Sequence, residues 1–235
     1  MLTLAAASAF FLAIHLLVSG TRLRDAIAST IGEQAYLAAF SIASAVGIIW
    51  LVLSFNSATS LGSQVFWDFG PSVRHLGILL VAIAFLLAVP GLLTPNPTSV
   101  GMEKLVTKTL PVTGVLRITR HPFLWGVAIW SAFHLLANGD AASVLFFGTF
   151  LLLAISGTFS IDAKRKRKWG VAWEGFASTT SNIPFVAILT GRNTLILTEL
   201  LTYRQILAVL VFGLVLLTHA WAFGASPFPG GWVPF

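Results

Sequence analysis

No cysteine occurs anywhere in the chain. This excludes disulfides, thiolate metal sites, iron–sulfur clusters and cysteine nucleophiles, and it leaves histidine, carboxylate and hydroxyl to carry any chemistry. Charge is almost as scarce. Only 9% of the residues are charged, against about 25% in an ordinary soluble domain. With 57% hydrophobic residues and a mean hydropathy of +0.89, the chain has lipid as its main solvent. Phosphate loops, catalytic triads and zinc-protease helices are missing too, as are internal repeats and low-complexity tracts.

What is present is a series of long apolar runs. They lie at Leu2–Val18, Tyr36–Phe55, His75–Val89, Phe123–Ala137, Ala142–Phe159 and Gln205–Phe223, most of them close to the ~20 residues that cross a bilayer. The expected fold is therefore all-α: a polytopic integral membrane protein, one transmembrane domain over residues 1–235, built as a bundle of about six helices. The third and fourth runs are short. Only Asn138-Gly139-Asp140 separates the fourth from the fifth, which predicts an antiparallel hairpin.

The basic residues set the expected orientation. The first inter-span loop holds Arg22 and Arg24, and the third holds Lys104, Lys108, Arg117 and Arg120. The fifth holds Lys164, Arg165, Lys166, Arg167, Lys168, Arg192 and Arg204, which leaves only Arg74 elsewhere. Short cytoplasmic loops retain positive charge, so loops one, three and five are expected in the cytoplasm and both termini outside. The first run has no basic residue before it, and it is expected to be a retained span rather than a cleaved leader. The net charge of +6 then reads as a topology signal. The Lys164–Lys168 run is expected to be a solvated face meeting anionic headgroups, with the bilayer as partner and no nucleic acid.

Ionisable residues inside spans are functional candidates by default, with a polar core contact as the plainer alternative. His15, His75, His134 and His219 lie in or beside apolar runs, and His121 sits in Arg120-His121-Pro122, where the fourth helix starts. Pro122 suits a first helical turn, and this places Arg120 and His121 at the membrane surface, either as an anion site or as an interfacial anchor. Neutral imidazole ligates haem iron, and a bundle without cysteine can hold a haem between two facing histidines. Helical rise puts His15 about 10 to 13 Å from the Arg22–Arg24 level, His134 about 21 Å from Arg120, and His219 about 22 Å from Arg204. Depth thus matches His134 with His219 better than with His15. Asn138 and Asp140 are expected to cap helices around their turn.

Three stretches carry a family resemblance: His15-Leu-Leu-Val-Ser-Gly-Thr-Arg-Leu-Arg-Asp25, Arg120-His121-Pro122 and Trp130-Ser-Ala-Phe-His134-Leu-Leu-Ala-Asn-Gly-Asp140. They resemble the NnrU family of bacterial membrane proteins, associated with nitric oxide reduction and denitrification, whose plant and cyanobacterial relatives include 15-cis-zeta-carotene isomerase. The likeness to the isomerase extends through Arg117-Ile-Thr-Arg-His-Pro122, Ile129-Trp130, Ile183-Pro184-Phe185 and Gly191-Arg192. The resemblance implies a bacterial inner-membrane protein that binds haem b, with His15 and His134 as the iron ligands. It also implies an enzyme that moves the double bond of a lipophilic polyene from cis to trans. A further histidine implicated in ligand exchange in the plant enzyme falls near Leu153, which cannot ligate iron, so haem binding is implied more strongly than catalysis. A non-enzymatic role in nitric oxide reduction is the alternative. A third reading starts from Arg120-His121-Pro122-Phe-Leu-Trp-Gly126, which is similar to a pattern of isoprenylcysteine carboxyl methyltransferases. Those enzymes hold S-adenosylmethionine with acidic residues, for which only Asp162 and Glu174 are available here, so a shared fold element is the expectation.

Overall fold

The computed structural model describes residues 1–70, 72–108, 111–231 and 233. Helix dominates, and the chain divides into two packing units, one formed by residues 1–70 with 131–157 and the other by 71–130 with 158–235.

The first unit starts with α1 (Leu2–Leu12), which widens without a break into a π-helical turn, Ala13–Val18. After the turn at Ser19–Gly20 the chain bends by 81° into α2 (Leu23–Ile31). Gly32, at φ +89°, then reverses it into α3 (Glu33–Ser60). Helices α1 and α3 lie side by side, and a Cβ on Gly47 would come within 2.9 Å of the Phe11 ring. Membrane helices without a water-driven force between them pack closely at such small residues. A short strand, β1 (Val65–Trp67), pairs antiparallel with β2 (Gly139–Asp140). The indole of Trp67 donates to the carbonyls of Leu135 and Leu136, both at 3.2 Å. Gly139 is obligatory there, since a Cβ would meet the Trp67 carbonyl oxygen at 2.1 Å.

Helices α6 (Pro122–Ala137) and α7 (Ala141–Trp169) form the expected hairpin on either side of β2. The capping expectation holds. The Asp140 carboxylate accepts from the amides of Ala142 and Ser143 at 3.1 and 3.0 Å and from the Ser63 hydroxyl at 2.8 Å. Asn138 donates to the His134 carbonyl at 2.8 Å. Orphan amides at the start of α7 are thereby satisfied by a side chain of opposite sign to the helix dipole.

The second unit is organised on α4 (Val73–Leu93) and α10 (Tyr203–Phe223), which pack against each other. Arg74 at the start of α4 donates to the Phe228 carbonyl just beyond α10, so the two helices run antiparallel. The first part of α6 is pressed onto α4: a Cβ on Gly126 would meet the Ala84 carbonyl oxygen at 2.6 Å and the Ala88 Cβ at 2.7 Å. One turn away, a Cβ on Gly91 would meet the Phe123 amide nitrogen at 2.6 Å. Three short helices, α5 (Val115–Ile118), α8 (Val171–Thr179) and α9 (Val186–Leu189), gather at the basic end of this unit.

The all-α polytopic membrane architecture stands, but the spans are unequal. Among the described residues, four helices (α3, α4, α7 and α10) are long and apolar enough to cross a bilayer, and the bent pair at the N-terminus makes a fifth if taken as one span. The 16 residues of α6 reach about 24 Å, short of a hydrocarbon core of about 30 Å.

Candidate functional site

The residues singled out by sequence fall into two groups. His15 and His134 belong to the first unit; Arg120, His121 and His219 belong to the second.

His15 sits within the π-helical turn, a rare geometry that recurs at functional sites. Its Nδ1 lies 2.8 Å from the carbonyl oxygen of Phe11. A carbonyl can only accept, so Nδ1 carries the proton and Nε2 keeps its lone pair, the arrangement in which imidazole binds a metal while a backbone group orients the ring. The His15 ring packs on Phe11 at 4.4 Å and edge-on to Phe40 at 5.1 Å. His134 stacks on Phe147 at 4.8 Å. An unbroken series of ring contacts links the two histidines, from Phe11 to Phe150 at 5.9 Å and from there through Phe146 to Phe147, each step at 5.2 Å. Phe55 of α3 stacks on Phe146 at 4.4 Å and closes the cluster. Two imidazoles therefore border one apolar aromatic cluster, and both are of the donor type that ligates haem iron.

The second constellation is polar and buried. Asp162, the only carboxylate on α7, receives the Arg120 guanidinium through Nε at 3.0 Å and Nη2 at 2.6 Å. It also accepts from His121 Nε2 at 2.8 Å and from the Asn182 side-chain amide at 3.0 Å. Arg120 donates further to the Thr180 carbonyl at 3.3 Å and lies 5.6 Å from the Trp173 ring centre. Its own carbonyl accepts from Asn96 and Thr98, each at 2.9 Å. Paired charges of this kind, with their remaining hydrogen-bonding capacity filled, tie the start of α6, the end of α7 and the segment around 180–182 into one rigid node.

His121 is 2% exposed, so it is not the interfacial anchor that its place in the sequence suggested. Its Nε2–H is committed to a carboxylate, and its Nδ1 is buried without a hydrogen-bond partner. Protonation would bury an unsatisfied N–H, and burial accordingly holds the imidazole below its ordinary value despite the adjacent carboxylate. His219 lies in the last turn of α10, where Nδ1 donates to the Ala225 carbonyl at 2.7 Å and closes the helix end. His75 likewise sits on the Ser72 carbonyl at 3.3 Å, at the start of α4.

Residues 3–227 match the family described as NnrU protein. The chain belongs to the NnrU family. It is 28% identical over 174 residues to the chloroplastic 15-cis-zeta-carotene isomerase of Arabidopsis thaliana, covering 74% of this chain and 47% of that one. It is 35% identical over 83 residues to the Zea mays enzyme of the same name, covering 35% and 23% respectively. This NnrU protein thus spans less than half the length of the curated relatives it matches. No solved structure matches it.

Within the NnrU chain, the structure shows what Arg120-His121-Pro122 and Gly126 do together. Pro122 opens α6, Gly126 admits the α4 backbone, and the two preceding side chains are spent on Asp162. Asn182 and the hub role of Asp162 were not legible beforehand. The available signal was a lone carboxylate at the end of an apolar run, since such residues are costly and therefore placed for a reason. The basic run also departs from expectation. Arg165 turns inward to Glu103 and to the Pro97 carbonyl, each at 3.0 Å, while Lys166, Arg167 and Lys168 are exposed.

Proposed function

We propose that this NnrU-family protein is a membrane enzyme of the 15-cis-zeta-carotene isomerase type. In this reading it acts on a lipophilic polyene, with one haem b held by His15 and His134 beside the phenylalanine cluster of the first unit. Similarity to the isomerases across 74% of the chain carries the reading. The aromatic cluster that joins the two histidines supports it, because it offers a polyene apolar, polarizable walls and little water.

When bound, haem supplies the iron centre at which a double bond changes geometry without net oxidation of the substrate. The chain supplies the rest. The Phe11 carbonyl holds the His15 proton on Nδ1 and turns Nε2 outward from its own helix. Phe147 fixes the plane of His134, and Phe11 and Phe40 do the same for His15. Arg120 and His121 serve as structure here, because both are committed to Asp162 and neither is free for an anionic cofactor. The proposal includes a bacterial inner-membrane location with both termini outward, following the distribution of basic residues.

The test is the absorption spectrum of the protein purified in detergent from haem-supplied cells. A stoichiometric Soret band that is lost or shifted in His15→Ala and in His134→Ala, and retained in His219→Ala, supports the ligand pair. Carotenoid accumulation in cells lacking the isomerase then tests the activity. Haem without isomerisation would leave the non-enzymatic role in its place.

A further inference from the structure

At the basic end of the second unit, the C-terminus of α4, the start of α5 and the N-terminus of α10 border a half-open cavity of about 200 Å³. Thr94, Thr113, Gly114, Glu199, Thr202 and Arg204 are among the residues that line it. We propose that this cavity binds a phosphate group, with Arg204 as its principal ligand; the site is independent of the haem reading.

Charge balance carries the argument. Glu199 is saturated: it accepts from Arg117 through Nε at 2.7 Å and Nη2 at 2.9 Å, and from the Gly114 amide at 2.8 Å. Arg117 is saturated in turn, its remaining Nη1 donating to the Asn193 side chain at 2.7 Å and to the Thr194 carbonyl. Arg117 and Glu199 therefore cancel, and Arg204 is left as the uncompensated charge of the lining. Among the described residues Arg204 makes no ion pair, and its Nε is buried without a hydrogen-bond partner. A buried guanidinium N–H without an acceptor is costly, and an anion in the cavity relieves that cost.

Three further features suit a phosphate. The hydroxyls of Thr94 and Thr113 line the cavity, giving neutral donors for oxygens not met by the guanidinium, while that of Thr202 is spent on Gln205. The positive end of the α10 dipole faces the same region, because Thr202 caps that helix. Helices α4 and α10 are both long enough to cross a bilayer, and the cavity lies at their ends, the level occupied by lipid headgroups. The phosphate can thus come from an anionic lipid or from solution, and recognition is the same for both.

The experiment uses the full chain in phosphate-free maltoside micelles. Phosphatidylglycerol and inorganic phosphate are titrated separately against wild type, Arg204→Gln and Lys168→Gln, with bound adducts counted by native mass spectrometry. The expected result is one bound phosphate group in wild type and in the exposed-lysine control, held about tenfold or more weakly by Arg204→Gln. Protection of Arg204 from phenylglyoxal, read by peptide mass in wild type, requires no variant to fold. Protection by phosphatidylglycerol alone assigns a lipid source, and protection by inorganic phosphate as well assigns a site that needs no lipid. Equal binding by Arg204→Gln, or equal modification of Arg204 with and without both probes, overturns the proposal.

Discussion

Asp162 shows how much one side chain can organise in an apolar protein. It is 18% exposed, and it takes hydrogen bonds from three side chains on two other segments, Arg120 and His121 just before α6 and Asn182 beyond α8. Replacing it by alanine leaves the Arg120 charge, itself only 13% exposed, without its counterion. A loss of about 3 kcal/mol in unfolding free energy is expected, measured by denaturant titration in mixed micelles. Lys166→Ala is the contrast. That lysine is exposed and 3.8 Å from Glu174, so a change below about 1 kcal/mol is expected in the same titration. His121 makes a pH-dependent contribution whose sign follows from its burial. The unfolded imidazole takes up a proton near its ordinary value of 6.5, whereas the folded one does so only at lower pH. Between those values the unfolded state binds more protons, so stability falls as pH drops below about 6.5. His121→Gln keeps a donor toward Asp162 and removes the titration. Its melting temperature is expected to vary less between pH 7 and pH 5 than that of wild type.

Among the helices, small residues decide the packing. Gly126 and Gly91 let α6 and α4 approach until backbone meets backbone, and Gly47 makes room on α3 for the Phe10 and Phe11 rings of α1. A side chain at Gly126 must push against the Ala84 carbonyl rather than against a flexible tip, so repacking offers little relief. Gly126→Val is expected to destabilise the protein by about 1 to 3 kcal/mol, read as a lower thermal midpoint in detergent. Gly148, with open space around its position, is expected to tolerate alanine with little change. The hairpin of α6 and α7 was readable from Asn138-Gly139-Asp140 because caps are local chemistry. The shortness of α6 was readable too, from its apolar length. The π-helical turn at Ala13–Val18 was not, since its apolar residues look the same to hydropathy as an ordinary helix.

At the scale of the molecule, the asymmetric distribution of basic residues makes a prediction that needs no ligand. A reporter active only outside the cytoplasm, fused after Phe235 or before Met1, is expected to be active, and one inserted between Lys168 and Val171 is expected to be silent. The opposite pattern would invert the orientation without altering the fold.

The sequence by itself determined that this is an all-α membrane protein, where most of its helices run, how the turn at 138–140 is capped, and that it belongs to the NnrU family. Each of these depends on local apolar length, local turn chemistry or direct similarity. Only the tertiary structure decided which polar residues meet. Arg120 and Asp162 are 42 positions apart, Arg117 and Glu199 are 82 apart, and nothing local couples either pair. It also decided which charges are spent and which remain. His121, read from the sequence as an anion site or an interfacial anchor, is buried against a carboxylate, while Arg204, one basic residue among many in its loop, is the unpaired charge of the cavity lining. Hydropathy measures what a segment avoids, whereas the partner of a buried charge is set by where the chain brings its distant segments together.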